Sequence, residues 1–556
     1  MLAAAFASLL PSALSHAQGE GEDSGLHALH LSQRAIPDDL AGKSIYFLLV
    51  DRFARPEGAP HEPCEGKKWC NGTLTGLIEK LPYIHGMGFD CVWITPVVKQ
   101  SEARCFGERC LDPYHGYWPE DWYSIDPHFG SADDLKLLSR MLREQGTCLM
   151  MDTVLHHVRP VSSSEDLVNV RPFNRTEDFW MWNASDGDTF DEYAKHPMQA
   201  LVPHCDPGGC SPPNITEHGW FMDLPALKIG GSERVRTELD NWIKFMMKEF
   251  QPTALRLDMA AYMPIDYLRH FRQLAGVPIL GEVTSPSWEY VKNFLTNRPK
   301  NNAVDIVTHF SLLSGVRQGF CGTSNISFDM NGNKFIDETK HASPPDFAEL
   351  HASVDEQLLA HEPELLDRLS HFLDSHDEER FSQACDGHTS RLKHAITFTM
   401  LLPGAPVVYY GTEQVFAQED NRAALWSSNF TRGEMYYHIA ALNRVRKQYL
   451  NRPATQLPMK VHFSDESSFV FSRGNATEDM LWVFLNNDET THSPRRYCAE
   501  SSQRVPRLPP AGSAWVDVLS GERARYDVGT GCFLAPNGEP KILVARPIQS
   551  LVQESR

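Results

Sequence analysis

Ala254-Leu255-Arg256-Leu257-Asp258 and Pro278-Ile279-Leu280-Gly281-Glu282 are two short apolar runs, and each ends in a carboxylate. Continuous apolar runs of this length suit strands buried on both faces, as in a parallel sheet. The same cadence recurs on either side. Upstream lie Ile45-Tyr46-Phe47-Leu48-Leu49-Val50, Cys91-Val92-Trp93-Ile94 and Leu149-Met150-Met151. Downstream lie Val304-Asp305-Ile306-Val307, Phe372-Leu373 and Val407-Val408-Tyr409-Tyr410. Between them run amphipathic stretches with helical period, such as 132–142 and 234–250. Eight strands alternating with helices predict an α/β fold, a closed (β/α)8 TIM barrel.

The chain of 556 residues is too long for one ordinary core and suits a barrel of roughly 250–400 residues with an accessory domain. One connection departs from the cadence: residues 158–224 are rich in Pro, Asn, Asp and Gly with little helical period. An irregular insertion of that length is usually functional, and it predicts a subdomain after the third strand. Beyond residue 453 the helical cadence gives way to strand-like pieces such as Phe469-Val470-Phe471 and Met480-Leu481-Trp482-Val483-Phe484. They predict a C-terminal antiparallel β-sandwich, with Cys498 and Cys532 placed to tie it. The expected organisation is therefore a leader over 1–17, a barrel over 18–157 and 225–452, an inserted subdomain over 158–224 and the sandwich over 453–556.

Residues 1–17 read as a signal peptide, with an apolar stretch too short to span a bilayer and Ser15-His16-Ala17 at the cleavage site. No later run is long enough for a membrane span, so a secreted, extracellular protein is expected. The 12 cysteines agree with that compartment. The close pairs Cys64/Cys70, Cys105/Cys110 and Cys205/Cys210 suit local disulfides, whereas Cys91 and Cys148, inside apolar runs, read as buried free thiols. Sequons at Asn71, Asn174, Asn183, Asn214, Asn325, Asn429 and Asn475 predict glycosylation. A formal net charge of −20 repels phosphate backbones, which argues against nucleic acid and allows a neutral saccharide. A monomer is expected.

Barrel enzymes take their reactive groups from the C-terminal ends of the strands. Here the third run leads to Asp152 and then His156-His157, the fourth to Arg256 and Asp258, the fifth to Glu282, and the seventh to Asp374-Ser375-His376-Asp377. The loop after the second holds Tyr114-His115-Gly116-Tyr117-Trp118. One strand-end Asp often only caps the next helix. Several converging on one mouth fit glycosidic bond cleavage, which needs one carboxyl as acid and another as nucleophile or base. Crowded carboxylates push one pKa up, and an arginine two residues before Asp258 keeps that group ionised.

These residues resemble the α-amylase family of glycoside hydrolases, specifically its secreted fungal type. The stretch 44–55, SIYFLLVDRFAR, carries the likeness, together with 88–97, GFDCVWITPV, and 114–123, YHGYWPEDWY. The resemblance spans roughly residues 38–450. It implies Asp258 as nucleophile, Glu282 as general acid/base and Asp377 as the third carboxylate, which grips sugar hydroxyls. It implies Arg256 as the group that orients Asp258. His115, Tyr117, Trp118, His157 and His376 become contacts to the sugar at the cleavage point, and Arg422 closes the glycone end of the cleft. The implied substrate is starch- or glycogen-like α-glucan or maltooligosaccharide, hydrolysed internally with retention.

Two departures stand out. The family has Asn before its histidine in the third-strand motif, and this chain has His156. That Asn binds a structural calcium ion, and imidazole is a poor donor for so hard a cation. The other calcium positions implied are Asp223 and the backbone carbonyl of Tyr262. The family also has Lys-His where Ala261-Tyr262 stands, on the leaving-group side, and Tyr262 offers a ring to stack on sugar. That change motivates a second reading, a 4-α-glucanotransferase in which a sugar hydroxyl resolves the intermediate. A third reading, a catalytically silent glucan-binding protein, is opposed by the intact carboxylate set.

Overall fold

A computed structural model describes residues 39–547, apart from 61–63, 65, 107–108, 207–208, 286, 296–301, 323–325, 329–333, 337–342, 419, 476–477, 490–494, 499–512, 528–531 and 536–537. The signal-peptide reading and the sequon at Asn325 lie outside the described residues. Eight strands close into a barrel: β1 (Ile45–Leu48), β2 (Cys91–Ile94), β3 (Cys148–Thr153), β4 (Ala254–Leu257), β5 (Ile279–Gly281), β6 (Ile306–Thr308), β7 (Leu369–His371) and β8 (Ala405–Tyr409). Each pairs in parallel with its sequence neighbours, and β1 closes the ring by pairing with β8, Phe47 against Tyr409. Every residue of β1 to β8 is buried, which is why these runs show no polar alternation.

The helices follow from local rules. Helix α1 (Ala132–Glu144) starts at Ser131, whose hydroxyl accepts from the Asp134 amide while the Asp134 side chain returns to the cap. Its buried face is Leu135, Leu138 and Leu142. Helix α2 (Glu233–Phe250) is capped by Ser232 and buries Val235, Leu239, Trp242, Ile243, Met246 and Phe250 at helical spacing.

Two expectations are corrected. The seventh strand is Leu369-Ser370-His371, not Phe372-Leu373. Ser370 and His371 are both buried, and His371 Nε2 lies 2.8 Å from the Pro403 carbonyl, so a polar sequence fills a core position. Cys91 and Cys148 are not free thiols but a disulfide. They are register partners at the starts of β2 and β3, a tertiary relation that their apolar surroundings do not reveal. The local bridges Cys64–Cys70, Cys105–Cys110 and Cys205–Cys210 form as expected, and Cys321–Cys385 is a further one.

Between β3 and α2 the chain makes short 3-10 turns, Ser164–Asn169 and Thr176–Asp178, and a small hairpin closed by Cys205–Cys210. It folds around buried Leu167, Val170, Phe173, Phe179, Phe190, Tyr193 and Trp220. After the helices α3 (Ile265–Ala275), α4 (Thr389–Leu401) and α5 (Glu434–Tyr449), the C-terminal region is antiparallel. Its strands are β9 (Met459–Ser464), β10 (Ser468–Asn475), β11 (Glu478–Asn486), β12 (Arg495–Cys498), β13 (Ser513–Asp517), β14 (Arg525–Asp527), β15 (Cys532–Ala535) and β16 (Lys541–Pro547). A five-stranded sheet, β9-β10-β11-β16-β13, faces a three-stranded one, β12-β15-β14. Val470, Trp482, Phe484, Tyr497 and Phe533 pack between them, while Phe469 and Phe471 point the other way, onto Phe398 of α4. Cys498 and Cys532 are register partners in this ladder. Their side chains lie outside the described residues, as does that of Asn475. Asn71, Asn174, Asn183, Asn214 and Asn429 are exposed.

Candidate active site

Register builds the site. Arg256 of β4 is the Cα partner of Asp152 on β3, so both side chains sit at one level of the barrel. Asp258 follows β4 and its amide donates to the Thr153 carbonyl at 3.0 Å. Glu282 follows β5 and its amide donates to the Leu257 carbonyl at 3.0 Å. Gly281 precedes it of necessity, because a Cβ there would stand 2.9 Å from Val304 Cγ1 and 3.3 Å from the Ala260 Cβ.

The Arg256 guanidinium is the hub. Nη1 donates to Asp258 Oδ1 at 2.8 Å and to Asp152 Oδ1 at 3.0 Å, and Nη2 lies 2.7 Å from Glu282 Oε1. Asp152 also accepts from the Tyr117 hydroxyl at 2.8 Å and the Trp93 indole at 3.0 Å. Met259 adopts a left-handed conformation, φ 51°, and its amide donates to Glu282 Oε2 at 2.8 Å. A non-glycine residue held there marks a site where backbone strain is tolerated for position.

Opposite lies the group after β7. Asp377 is half exposed to solvent, with Arg422 Nη2 3.1 Å from Oδ1 and His376 Nε2 3.1 Å from Oδ2. Arg422 Nε donates to the His376 carbonyl at 2.8 Å, and Asn421 Nδ2 donates to the same carbonyl at 2.8 Å. The Tyr117 ring stacks on His376 at 5.1 Å, and the Tyr117 carbonyl meets His157 Nε2 at 3.0 Å. His115 accepts from the Tyr117 amide and meets Trp118 edge-on at 5.0 Å. Gly116 lets this loop lie on the barrel, since a Cβ there would collide with the Pro96 carbonyl. The structure thus gathers Asp258, Glu282 and Asp377 with Arg256, His115, Tyr117, Trp118, His157, His376 and Arg422.

The electrostatics set Asp377 apart from the buried carboxyls. Burial pushes Glu282 up to about 7 against the pull of Arg256. Burial raises Asp258 likewise to about 7 and Asp152 to about 6, with Arg256 opposing in both. Partial desolvation of the half-exposed Asp377 is outweighed by His376, Arg422 and Arg256, which carry its carboxyl below its ordinary value. Burial depresses His157 to about 4 and His376 to about 3, so both imidazoles are neutral donors or acceptors near pH 7. Glu282 and Asp258, raised alike beside an Asp377 that stays ionised, form a carboxyl pair able to hold one proton between them, which is what an acid and a nucleophile require.

Sequence reasoning noted Asp152 without assigning it a role and missed Trp93. The period-two alternation along β2, β3 and β4 was the available signal: it aims Trp93, Asp152 and Arg256 the same way. Ala261 is fully buried, its carbonyl accepting from the Tyr290 hydroxyl at 2.8 Å. Tyr262 is only 8 % exposed and meets His156 edge-on at 6.0 Å.

Two of the three implied calcium positions offer no free oxygen. Both ring nitrogens of His156 are buried without a hydrogen-bond partner. The Asp223 carboxylate is engaged by the Arg104 guanidinium. Among the described residues, no group of three or more His, Cys, Asp or Glu side chains could hold a metal ion. Calcium takes six to eight oxygens, and this donor set does not fit it.

The comparisons agree with the fold. The family model described as "Alpha amylase, catalytic domain" matches residues 47–444. Alpha-amylase 2 of Schwanniomyces occidentalis is 30% identical, over 80% of this chain and 80% of that protein. The alpha-amylase mde5 of Schizosaccharomyces pombe is 31% identical, over 74% of this chain and 71% of that protein. Among solved structures, an alpha-amylase from Malbranchea cinnamomea superposes with a TM-score of 0.71 at 27% identity, covering 93% of this chain and 98% of that one. On this barrel, these strand-end carboxylates and that match, the chain belongs to the α-amylase family of glycoside hydrolases.

Proposed function

We propose that this enzyme hydrolyses internal α-1,4 bonds of starch- or glycogen-like α-glucan with retention of configuration. The observation that carries the reading is the single Arg256 guanidinium that binds Asp258 through one nitrogen and Glu282 through the other. Sharing one guanidinium keeps the two carboxyls close. Retaining enzymes hold their pair about 5–5.5 Å apart, and inverting ones leave room for a water between them.

In this mechanism Glu282 carries the one proton that the buried pair keeps and donates it to the glycosidic oxygen as the bond to the anomeric carbon breaks. Asp258, held by Arg256, attacks that carbon from the opposite face and forms a glycosyl ester. Glu282, now ionised, takes a proton from water, which attacks the same carbon and releases Asp258. Asp377, kept ionised by His376 and Arg422, accepts hydrogen bonds from ring hydroxyls and favours the flattened, oxocarbenium-like ring. His157 and His376 contact hydroxyls as neutral imidazoles. Tyr117, buttressed by Asp152 and His376, and Trp118 shape the sugar-facing wall, and Arg422 closes the glycone side.

A 4-α-glucanotransferase is the second reading, favoured by Ala261, which places no polar side chain where relatives carry Lys-His. The little of Tyr262 that is exposed would meet an acceptor by its edge or hydroxyl. We further propose secretion, with residues 1–17 as signal peptide, glycans on the exposed sequons, and a monomer. Among the described residues no helix is long and apolar enough to cross a membrane.

The test is to incubate the purified enzyme with a defined maltooligosaccharide and follow product lengths. Only shorter products support hydrolysis. Products longer than the substrate would establish transfer. Binding without turnover would overturn both in favour of a silent glucan binder.

A further inference from the structure

The inserted segment leaves the barrel after β3 and returns before α2, and the two limbs meet at Leu155–Val161 and Asp223–Ile229. The Leu227 amide donates to the His156 carbonyl at 2.7 Å, Val161 to the Asp223 carbonyl at 3.0 Å, and Trp180 to the Ala226 carbonyl at 2.9 Å. Leu155, Val158, Val161, Ala226 and Leu227 are buried between the limbs. These carbonyls already accept backbone hydrogen bonds, and His156, three residues beyond the end of β3, offers nitrogen rather than oxygen.

The charges around this junction are neutralised by side chains. Arg104 engages Asp223, Arg159 Nη1 lies 2.7 Å from Glu120 Oε1, Lys99 Nζ lies 3.2 Å from Glu120 Oε2, and Arg234 Nη1 lies 2.7 Å from Asp178 Oδ1. A divalent ion here would lack an oxygen cage and would be repelled by guanidinium groups. Arg104 is well placed to be permanent. It opens a small hairpin whose next residue, Cys105, is tied to Cys110, so the strand that presents it is covalently closed. Guanidinium stays charged at every physiological pH and bonds carboxylate in a planar fork.

We propose that the junction between barrel and insertion is fastened without calcium, with Arg104 on the disulfide-closed hairpin supplying to Asp223 the positive charge that a bound ion would otherwise provide. The insertion then owes its seat to a fixed cation, and folding does not depend on metal supply.

The test uses the full-length secreted protein and reads stability and metal content rather than activity. Metal analysis after purification in calcium-containing buffer should find no stoichiometric calcium. Melting temperature should be the same in excess EDTA and in excess calcium, because an ion that binds only the folded state would raise it by several degrees at saturation. Arg104→Gln should lower the melting temperature and speed proteolysis within residues 158–224, equally with and without calcium, while Arg104→Lys should fall between. Should Arg104→Gln not accumulate, the double variant Arg104→Gln/Asp223→Asn is measured instead; it should recover, because it leaves no unpaired carboxylate. One equivalent of calcium whose removal lowers the melting temperature overturns the proposal. So does an Arg104→Gln protein that melts and resists protease like the parent, or a double variant that fails to recover.

Discussion

Replacing Arg256 by lysine tests the site where three carboxylates depend on one cation. The guanidinium serves Asp152 and Asp258 through Nη1 and Glu282 through Nη2, at 3.0, 2.8 and 2.7 Å. A lysine ammonium is a single point, so it can stay with Asp152 and Asp258 only by releasing Glu282. Losing one charge-assisted hydrogen bond costs about 1.5–3 kcal/mol, which corresponds to roughly 1–2 pKa units at 1.36 kcal/mol per unit. The ionised form of Glu282 is the one that loses, so its pKa rises from about 7 to roughly 8–9. Under the roles proposed, Glu282 must be protonated and Asp258 ionised. The alkaline limb of kcat/KM should therefore move up by about 1–2 pH units, while the acid limb moves less. Stability follows the same sign. A carboxyl whose folded pKa lies above its unfolded value stabilises the fold below the unfolded value, and that contribution is lost as pH rises through the folded one. The variant should accordingly melt further below the parent at pH 9 than at pH 6. The assay is kcat/KM against pH on a maltooligosaccharide, with melting curves in the same buffers. An alkaline limb that stays put or moves down would refute the assignment of Arg256 as the cation that tunes Glu282.

Other outcomes are expected. Glu282→Gln should lower kcat by at least about a hundredfold, the scale of a positioned general acid, and still melt cooperatively; steady-state kinetics and calorimetry check both. The parent enzyme should show a bell-shaped kcat/KM profile whose alkaline limb falls near Glu282's value of about 7, and a profile flat through neutrality would contradict it. Replacing Cys91 and Cys148 together by serine should cost about 4 kcal/mol, the chain-entropy value for a loop of this size, read by denaturant unfolding under non-reducing conditions.

Much of this molecule was legible in its sequence because barrel strands advertise themselves. β4 and β5 are short apolar runs, β4 interrupted by Arg256 alone, each with a carboxylate just beyond its end, as strands buried on both faces are expected to look. β7 was misplaced because its core position is filled by Ser370 and His371, and His371 is accommodated there by the Pro403 carbonyl and His309, tertiary partners invisible in one dimension. The roles of Cys91 and Cys148 failed for a related reason: burial is written in neighbouring residues, but partnership is a matter of register between strands. The pairing of Arg256 with Asp152 arises from that same register. Arg104 could not have been singled out, because nothing local distinguishes an arginine that will meet Asp223 from one that faces water.

The short bridges Cys105–Cys110 and Cys205–Cys210 change what a cut in the backbone means. A peptidase that severs the chain between two such cysteines opens a loop but frees no end, since both sides remain one molecule through sulfur. A chain nicked there gains one water yet still runs as a single species, and a reductant releases it as two fragments.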